Sequence, residues 1–172
     1  AFPVNILELS LISELANELT LNIQGDSSSI LQTIETALLY PVGFYIEIDT
    51  GHHRSGVTWD DLDEIDRMLD FLSRSNRLKF KGFLTHSGHT YSADSQEEIL
   101  DIYKDTVEKM NNLKDQYKEA WPELTISVGD TPSCSLVGDF TGVDEIRPGN
   151  FVFYDLMQDS LGACSLEQIA VA

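Results

Sequence analysis

Apolar residues change their spacing along this chain in a regular order. Ile6, Leu9, Ile12, Leu15 and Ala16 recur at helical intervals behind Asn5, a good N-cap, and Leu19 to Ile23 then reads as a strand. Ser27 to Ser29 can cap a second helix through Ile30, Ile34 and Leu38, which Pro41 stops. Val42 to Ile48 follows with almost no polar interruption, the pattern of a strand buried on both faces. Thr58 with Asp61 opens a third helix, through Leu62, Ile65, Leu69 and Leu72, in the manner of a capping box, and Leu78 to Thr85 is the next strand. Ser95 with Glu98 repeats the device before the longest helix, whose stripe of Ile99, Tyr103, Val107, Met110, Leu113 and Tyr117 runs until Pro122. Leu124 to Val128 and Ile146 to Tyr154 supply two more strands. The apolar ends, Ala1 to Val4 and Gln168 to Ala172, read as strand stubs, so the sequence looks like an excerpt from a longer polypeptide.

Strand and helix alternate throughout, which argues for parallel strands joined by helical crossovers. An open doubly wound sheet also fits, but the GxGxxG or GxxxxGKS/T loop that would favour one is missing. A complete (β/α)8 barrel takes roughly 250 residues. With 172 residues, the chain is expected to be α/β, a partial (β/α)8 TIM-type barrel spanning residues 1–172.

Composition narrows the partners. Asp and Glu total 29 against 11 Lys and Arg, a net charge of −18, and such a surface repels nucleic-acid backbones and anionic bilayers. No apolar run approaches the ~20 residues of a membrane helix, and no basic stretch precedes the first apolar segment. Cys134 and Cys164 form neither a CxxC pair nor a disulfide framework. The expected compartment is the cytosol.

In barrels of this class, chemistry gathers in the loops at the C-terminal ends of the strands. All four histidines fall in two such loops, His52 and His53 in Asp49 to Gly56, and His86 and His89 in Thr85 to Tyr91. A single histidine is usually structural; four at one rim point to function. A third loop, Val128 to Ser133, offers Thr131, Ser133 and backbone amides to a phosphate, although Gly-Asp-Thr-Pro is also ordinary turn chemistry. A fourth, Arg147-Pro148-Gly149-Asn150, brings a cation and a flexible amide pair, or simply a bulge at a strand entry. Arg54 and Arg147 both lie in these loops, which suggests an anion-accepting pocket in an otherwise acidic protein. Such a rim suits an aromatic phosphate cofactor, and it also suits a metal site.

Four motifs in order carry a family resemblance: Ile46 to Gly51 with Arg54 to Val57, Leu84 to His86 with Gly88 to Tyr91, Ser127 to Ser133, and Glu145 to Asn150 with Tyr154-Asp155. Together they resemble the N-terminal barrel of the alanine racemase superfamily, the fold-type III enzymes that use pyridoxal 5'-phosphate (PLP), and within it the D-threonine aldolase and D-serine dehydratase branch. The resemblance implies PLP at the barrel mouth, with Arg54 facing its phenolic oxygen, His86 packed against the pyridine ring and Tyr91 near the ring nitrogen. It implies that Gly129, Asp130 and Thr131, with Gly149 and Asn150, hold the phosphate largely through backbone amides. In the racemases the arginine matching Arg147 contacts the pyridine nitrogen, which places Arg147 among the cofactor-binding residues; in the dehydratase-like branch the tyrosine takes that place, which would leave Arg147 structural.

The family's Schiff-base lysine would lie upstream of Ala1, and none of the chain's lysines replaces it: Lys79 and Lys81 sit at a strand start, and Lys104, Lys109, Lys114 and Lys118 on one helix read as solvated surface. A divalent metal, held by histidine with cysteine or aspartate, would belong to a C-terminal β-domain. The function implied is a PLP-dependent lyase acting on a small D-hydroxy amino acid, homodimeric when whole, with this segment inactive alone. Alternatives are an alanine-type racemase, a metal-dependent barrel hydrolase using Asp49, His52, His86 and His89, and a non-catalytic PLP-binding module.

Overall fold

The computed structural model describes residues 3–170. Helix α1 (Leu9–Glu18) leads to β1 (Asn22–Gly25), α2 (Ser28–Ala37) to β2 (Val42–Asp49), and a short β3 (Val57–Thr58) to α3 (Leu62–Arg74). Next come β4 (Leu78–Thr85), α4 (Gln96–Tyr117), β5 (Thr125–Val128), α5 (Thr131–Leu136), β6 (Glu145–Ile146) and α6 (Leu156–Ser160). The strands form one all-parallel sheet in the order β1-β2-β4-β5-β6, with β3 beside β2. Sequential order with helical crossovers is the arrangement of a barrel wall, as expected for a partial (β/α)8 barrel.

Local chemistry sets the helix starts. Asn5 accepts from Leu7 N–H ahead of a short 3-10 turn, and Ser27 accepts from Ser29 N–H. Asp61, rather than Thr58, caps α3 by accepting from Glu64 N–H. Ser95 caps α4 from Glu98 N–H, while the Glu98 carboxylate accepts from Asp94 N–H.

Four expected strands differ. The first begins at Asn22, not Leu19, because Leu19 N–H still bonds to Leu15 O as the cap of α1. Ile146 to Tyr154 pairs only through Glu145–Ile146: Pro148 has no amide to donate, and Asn150 O accepts from Phe153 and Tyr154 N–H, winding the segment into a 3-10 turn. At the ends, Val4 N–H reaches Gln24 O without forming a strand, and Leu166–Gln168 is a 3-10 turn. The outer parts of both stubs, Ala1, Phe2, Val171 and Ala172, lie outside the described residues.

The core lies between sheet and helices. Phe44, Ile46 and Ile48 of β2 meet Leu31 and Ile34 of α2 and Ile65 and Met68 of α3, all at most 1% exposed. Strand β4 needs a correction to its phase to share this arrangement. Leu78 and Phe80 belong to the helix side, and strict alternation would put position 84 there too. A bulge interrupts the β2–β4 register, Phe44 pairing with Phe80 but Tyr45 with Gly82, so Lys81 is skipped. Gly82 has φ +149 and runs so close to β5 that a Cβ would stand 1.9 Å from Thr125 O. After the bulge Phe83 faces the helices and Leu84 faces inward.

Candidate functional site

The inner face of the sheet is polar where the outer face is apolar. Gln24, Tyr45, Leu84, Glu145 and Arg147 line a cavity of about 380 Å³ on it, and the loops carrying the expected site residues rise from the C-terminal strand ends. Asp49 organises the first loop: its Oδ1 accepts from Gly51 N–H at 2.9 Å and His53 N–H at 3.1 Å, and its Oδ2 lies 3.0 Å from His53 Nδ1. Burial alone would raise the Asp49 pKa, but the two amides and His53 bring it below the usual carboxylate value. Arg54 follows, exposed at the rim. Its charge is felt by Glu47, His52 and His86, which sets all four side chains around one region.

His86 donates from Nδ1 to Gly129 O at 2.6 Å. This bond fixes the tautomer and joins the second loop to the third, leaving Nε2 as the unprotonated nitrogen. Burial, with Arg54 and His52 nearby, pushes the His86 pKa down to about 4 against the pull of the Gly129 carbonyl, so the ring is neutral at pH 7. Tyr91 packs at 6.4 Å from the His86 ring, and its hydroxyl accepts from Thr131 N–H at 3.2 Å. Thr131 Oγ1 accepts in turn from Asn150 N–H at 2.9 Å, so the two segments expected to share one phosphate touch directly. A Cβ on Gly129 would come within 2.9 Å of Arg147, a close approach that only glycine allows.

Two expected residues have other engagements. The Asp130 carboxylate is 3% exposed, caps α5 through Ser133 N–H at 2.7 Å and accepts from Thr90 Oγ1 at 3.0 Å. Only its backbone is left for an anion. Arg147 donates Nε to Ser127 Oγ at 2.7 Å and Nη2 to Thr85 O at 2.5 Å, stapling the ends of β4 and β5. Gly149 is open, with no atom within 4 Å of where a Cβ would stand.

Two residues that sequence reasoning missed stand out. Glu47 is 2% exposed and accepts from Gln24 Nε2 at 2.9 Å and Ser55 Oγ at 2.8 Å. Burial raises its pKa while those bonds restrain the rise. Its signal was present, as a carboxylate within an otherwise apolar strand. Lys109 was read as solvated surface, yet its side chain is 21% exposed and donates to Thr50 O at 2.9 Å, bracing the first loop from outside. Thr50, Thr85, Ser87 and Thr106 add a buried hydroxyl network between the same loops and α4. Among the described residues no three His, Cys, Asp or Glu side chains form a group that could hold a metal ion. Cys134 and Cys164 are free thiols, and no described helix is long and apolar enough to cross a membrane.

A parallel barrel wall whose C-terminal loops bring together a neutral imidazole, a rim arginine and two touching loops has the arrangement in which (β/α) barrels place their ligand sites. The chain belongs to the family of the alanine racemase N-terminal domain, whose profile matches residues 4–156. The D-serine dehydratase of Dictyostelium discoideum is 30% identical over 167 residues, 88% of this chain and 42% of that protein. The D-threo-3-hydroxyaspartate dehydratase of Delftia sp. HT23 is 33% identical over 132 residues, 74% of this chain and 34% of that protein. Its solved structure superimposes on 99% of this chain and 46% of its own with TM-score 0.89 and 28% identity. The D-threonine aldolase of Filomicrobium marinum, at 18% identity and TM-score 0.82 over 92% of this chain and 43% of its own, shares the fold. The chain spans less than half the length of each of these proteins.

Proposed function

We propose that residues 1–172 are the central barrel segment of a PLP-dependent lyase that eliminates water from a small D-hydroxy amino acid. The observation that carries this reading is the convergence of Arg54, His86 and Tyr91 with the Thr131–Asn150 contact at one rim. Likeness to two dehydratases at 30% and 33% identity supports elimination over aldol cleavage. Arg147 supports it over racemisation, since its guanidinium is engaged by strand carbonyls and is not presented as a cation to a pyridine nitrogen.

The residues present fit PLP. A flat neutral imidazole suits the face of a flat ring, and the rim guanidinium suits a phenolate. Backbone amides of residues 129, 130 and 149 would suit a phosphate without burying a further charge in an acidic protein, while those of Thr131 and Asn150 are engaged with Tyr91 and the Thr131 hydroxyl and would have to exchange these bonds for the anion. PLP when bound supplies the electron sink for a carbanion at the substrate Cα. Around it His86 holds its proton on Nδ1 against Gly129 O, so its low pKa keeps the packed ring uncharged. Tyr91 stands beside that ring with its hydroxyl on Thr131 N–H, and in this reading it would occupy the place near the ring nitrogen where a racemase-like cation would weaken the sink.

The Schiff-base lysine, a divalent metal site and a second protomer belong to the rest of the protein in this reading. One solved D-threo-3-hydroxyaspartate dehydratase variant is a metal-free form, which supports the metal. The test is borohydride reduction of the full-length protein. The expected result is loss of a visible absorbance band and a pyridoxyl group on a lysine outside residues 1–172. Stoichiometric zinc without PLP in the native protein would replace this reading with a hydrolase.

A further inference from the structure

His52 has no role in the proposed chemistry, yet its ring lies close against the second loop of the rim. Both neighbouring amides, those of Gly51 and His53, are bound to Asp49, so the backbone at His52 is fixed from either side. From there its ring crosses to the second loop and lies on Gly88. A Cβ on Gly88 would stand 2.3 Å from His52 Nε2 and 2.6 Å from Cδ2 and Cε1. Gly88 has no positive φ, so its backbone conformation is open to other residues, and the three atoms nearest to where a side chain would start all belong to the His52 imidazole. The same ring meets His86 edge-on at 5.7 Å and lies nearly parallel to His89 at 6.2 Å. Burial, then Arg54, hold His52 below its ordinary pKa, so these imidazoles pack uncharged at neutral pH.

The geometry points to His52 as a positioning residue: seated on Gly88 and against the edge of His86, it keys the Arg54 loop to the His86–Tyr91 loop and holds their side chains in register. The ligand side of this inference rests on the PLP reading above. It assigns His52 no bond to cofactor or substrate. The ring acts through His86 on one side and through the loop that carries Arg54, two residues on, at the other.

A double-mutant cycle in the full-length protein tests it, using Gly88→Ala, His52→Ala and the pair. Three quantities are read: PLP affinity of the apo-protein, visible circular dichroism of bound PLP, and thermal unfolding of the apo-protein. Gly88→Ala should weaken PLP binding about tenfold and reduce the induced dichroism, because its methyl displaces the ring, and His52→Ala should do much the same. The pair should be no worse than His52→Ala, since the methyl then fills space the ring has left. Additive losses, or a silent Gly88→Ala, would overturn the proposal. If Gly88→Ala does not fold but the pair does, the seat is supported; if neither folds, Gly88 serves the backbone and the proposal fails. Should the wild-type protein take up no PLP, the functional reading falls, and the apo unfolding cycle alone decides the seat: coupling supports it and additivity removes it.

Discussion

Phe83 and Leu84 are neighbours in β4 and serve different constructions. Phe83 is fully buried on the helix side, with Phe80 at 5.4 Å and Tyr117 at 5.8 Å. Leu84 faces inward with Gln24, Tyr45 and Arg147. The outer face is closed chiefly by apolar contact, with Tyr117 donating to Asp66 at 2.7 Å between α4 and α3, whereas the inner face is held by paired charges and directed hydrogen bonds. Apolar packing tolerates exchange of similar shapes, and directed bonds do not. Stability should therefore be concentrated on one face and ligand chemistry on the other.

The largest effect expected from breaking that division is on the helix side. Phe83→Ala should lose about 3–5 kcal/mol of folding stability, the cost of a large aromatic cavity. Urea denaturation measures it; a loss near 1 kcal/mol or less would mean the core can collapse around the gap.

On the inner side the counterpart is Arg54→Ala. In the proposed role, losing a charge-assisted bond from Arg54 to PLP would cost about 1.5–3 kcal/mol, which is roughly one to two orders of magnitude in turnover of the full-length protein. Melting of the apo-protein should barely move. A destabilised apo-protein with unchanged turnover per bound cofactor would make Arg54 part of the fold and erase the contrast.

His86 stands on both sides of the division, being at the rim yet largely buried, and pH separates its two parts. Its pKa is depressed from 6.5 to about 4, chiefly by burial, so below pH 6.5 the unfolded chain takes up a proton that the folded chain refuses. The stability it contributes is whole above pH 6.5 and drains as the pH falls toward about 4. The slope is at most about 1.4 kcal/mol per pH unit. Glu47 and Asp130 have raised pKa values and act with the opposite sign, so the informative quantity is wild type minus His86→Gln across this range. The variant should show a flatter loss on acidification. Parallel curves would mean His86 is solvated.

The helix side was legible because periodicity reports burial directly: the stripes of α3 and α4 and the run of β2 appear in the sequence as they fold. The residues that the structure brings together at the rim, such as His86, Tyr91 and Thr131, were legible where a motif concentrated them. Features that depend on relative placement were harder to see. Gly82 and the switch from Phe80 to Phe83 signal the bulge only if the phase of the strand is counted through it. Pro148 did announce the end of β6, and the apolar residues after it, Phe151 to Phe153, misled because they are about half exposed in the described residues. Asp130 carried no mark distinguishing a cap from a ligand.

The smallest effect concerns two lysines on α4 that composition cannot tell apart. Lys104 pairs with Asp101 at 3.0 Å, with side chains 73% and 65% exposed. Lys109 pairs with Asp105 at 2.6 Å, donates to Thr50 O and lies 5.7 Å from the centre of the Trp59 ring. Lys104→Ala should change stability by less than about 0.5 kcal/mol, since an exposed pair is screened by water and salt. Lys109→Ala should cost about 1–2 kcal/mol, because it leaves the Thr50 carbonyl without its charged donor and uncovers Trp59. Lys109→Met keeps the stem over the indole and should recover the packing share alone. If the two alanine variants melt alike, the outer brace on the first histidine loop contributes nothing, and the division runs wholly between the faces of the sheet. If they differ as expected, the helix layer also shapes the rim, through one ammonium group bonded to the carbonyl where β2 ends.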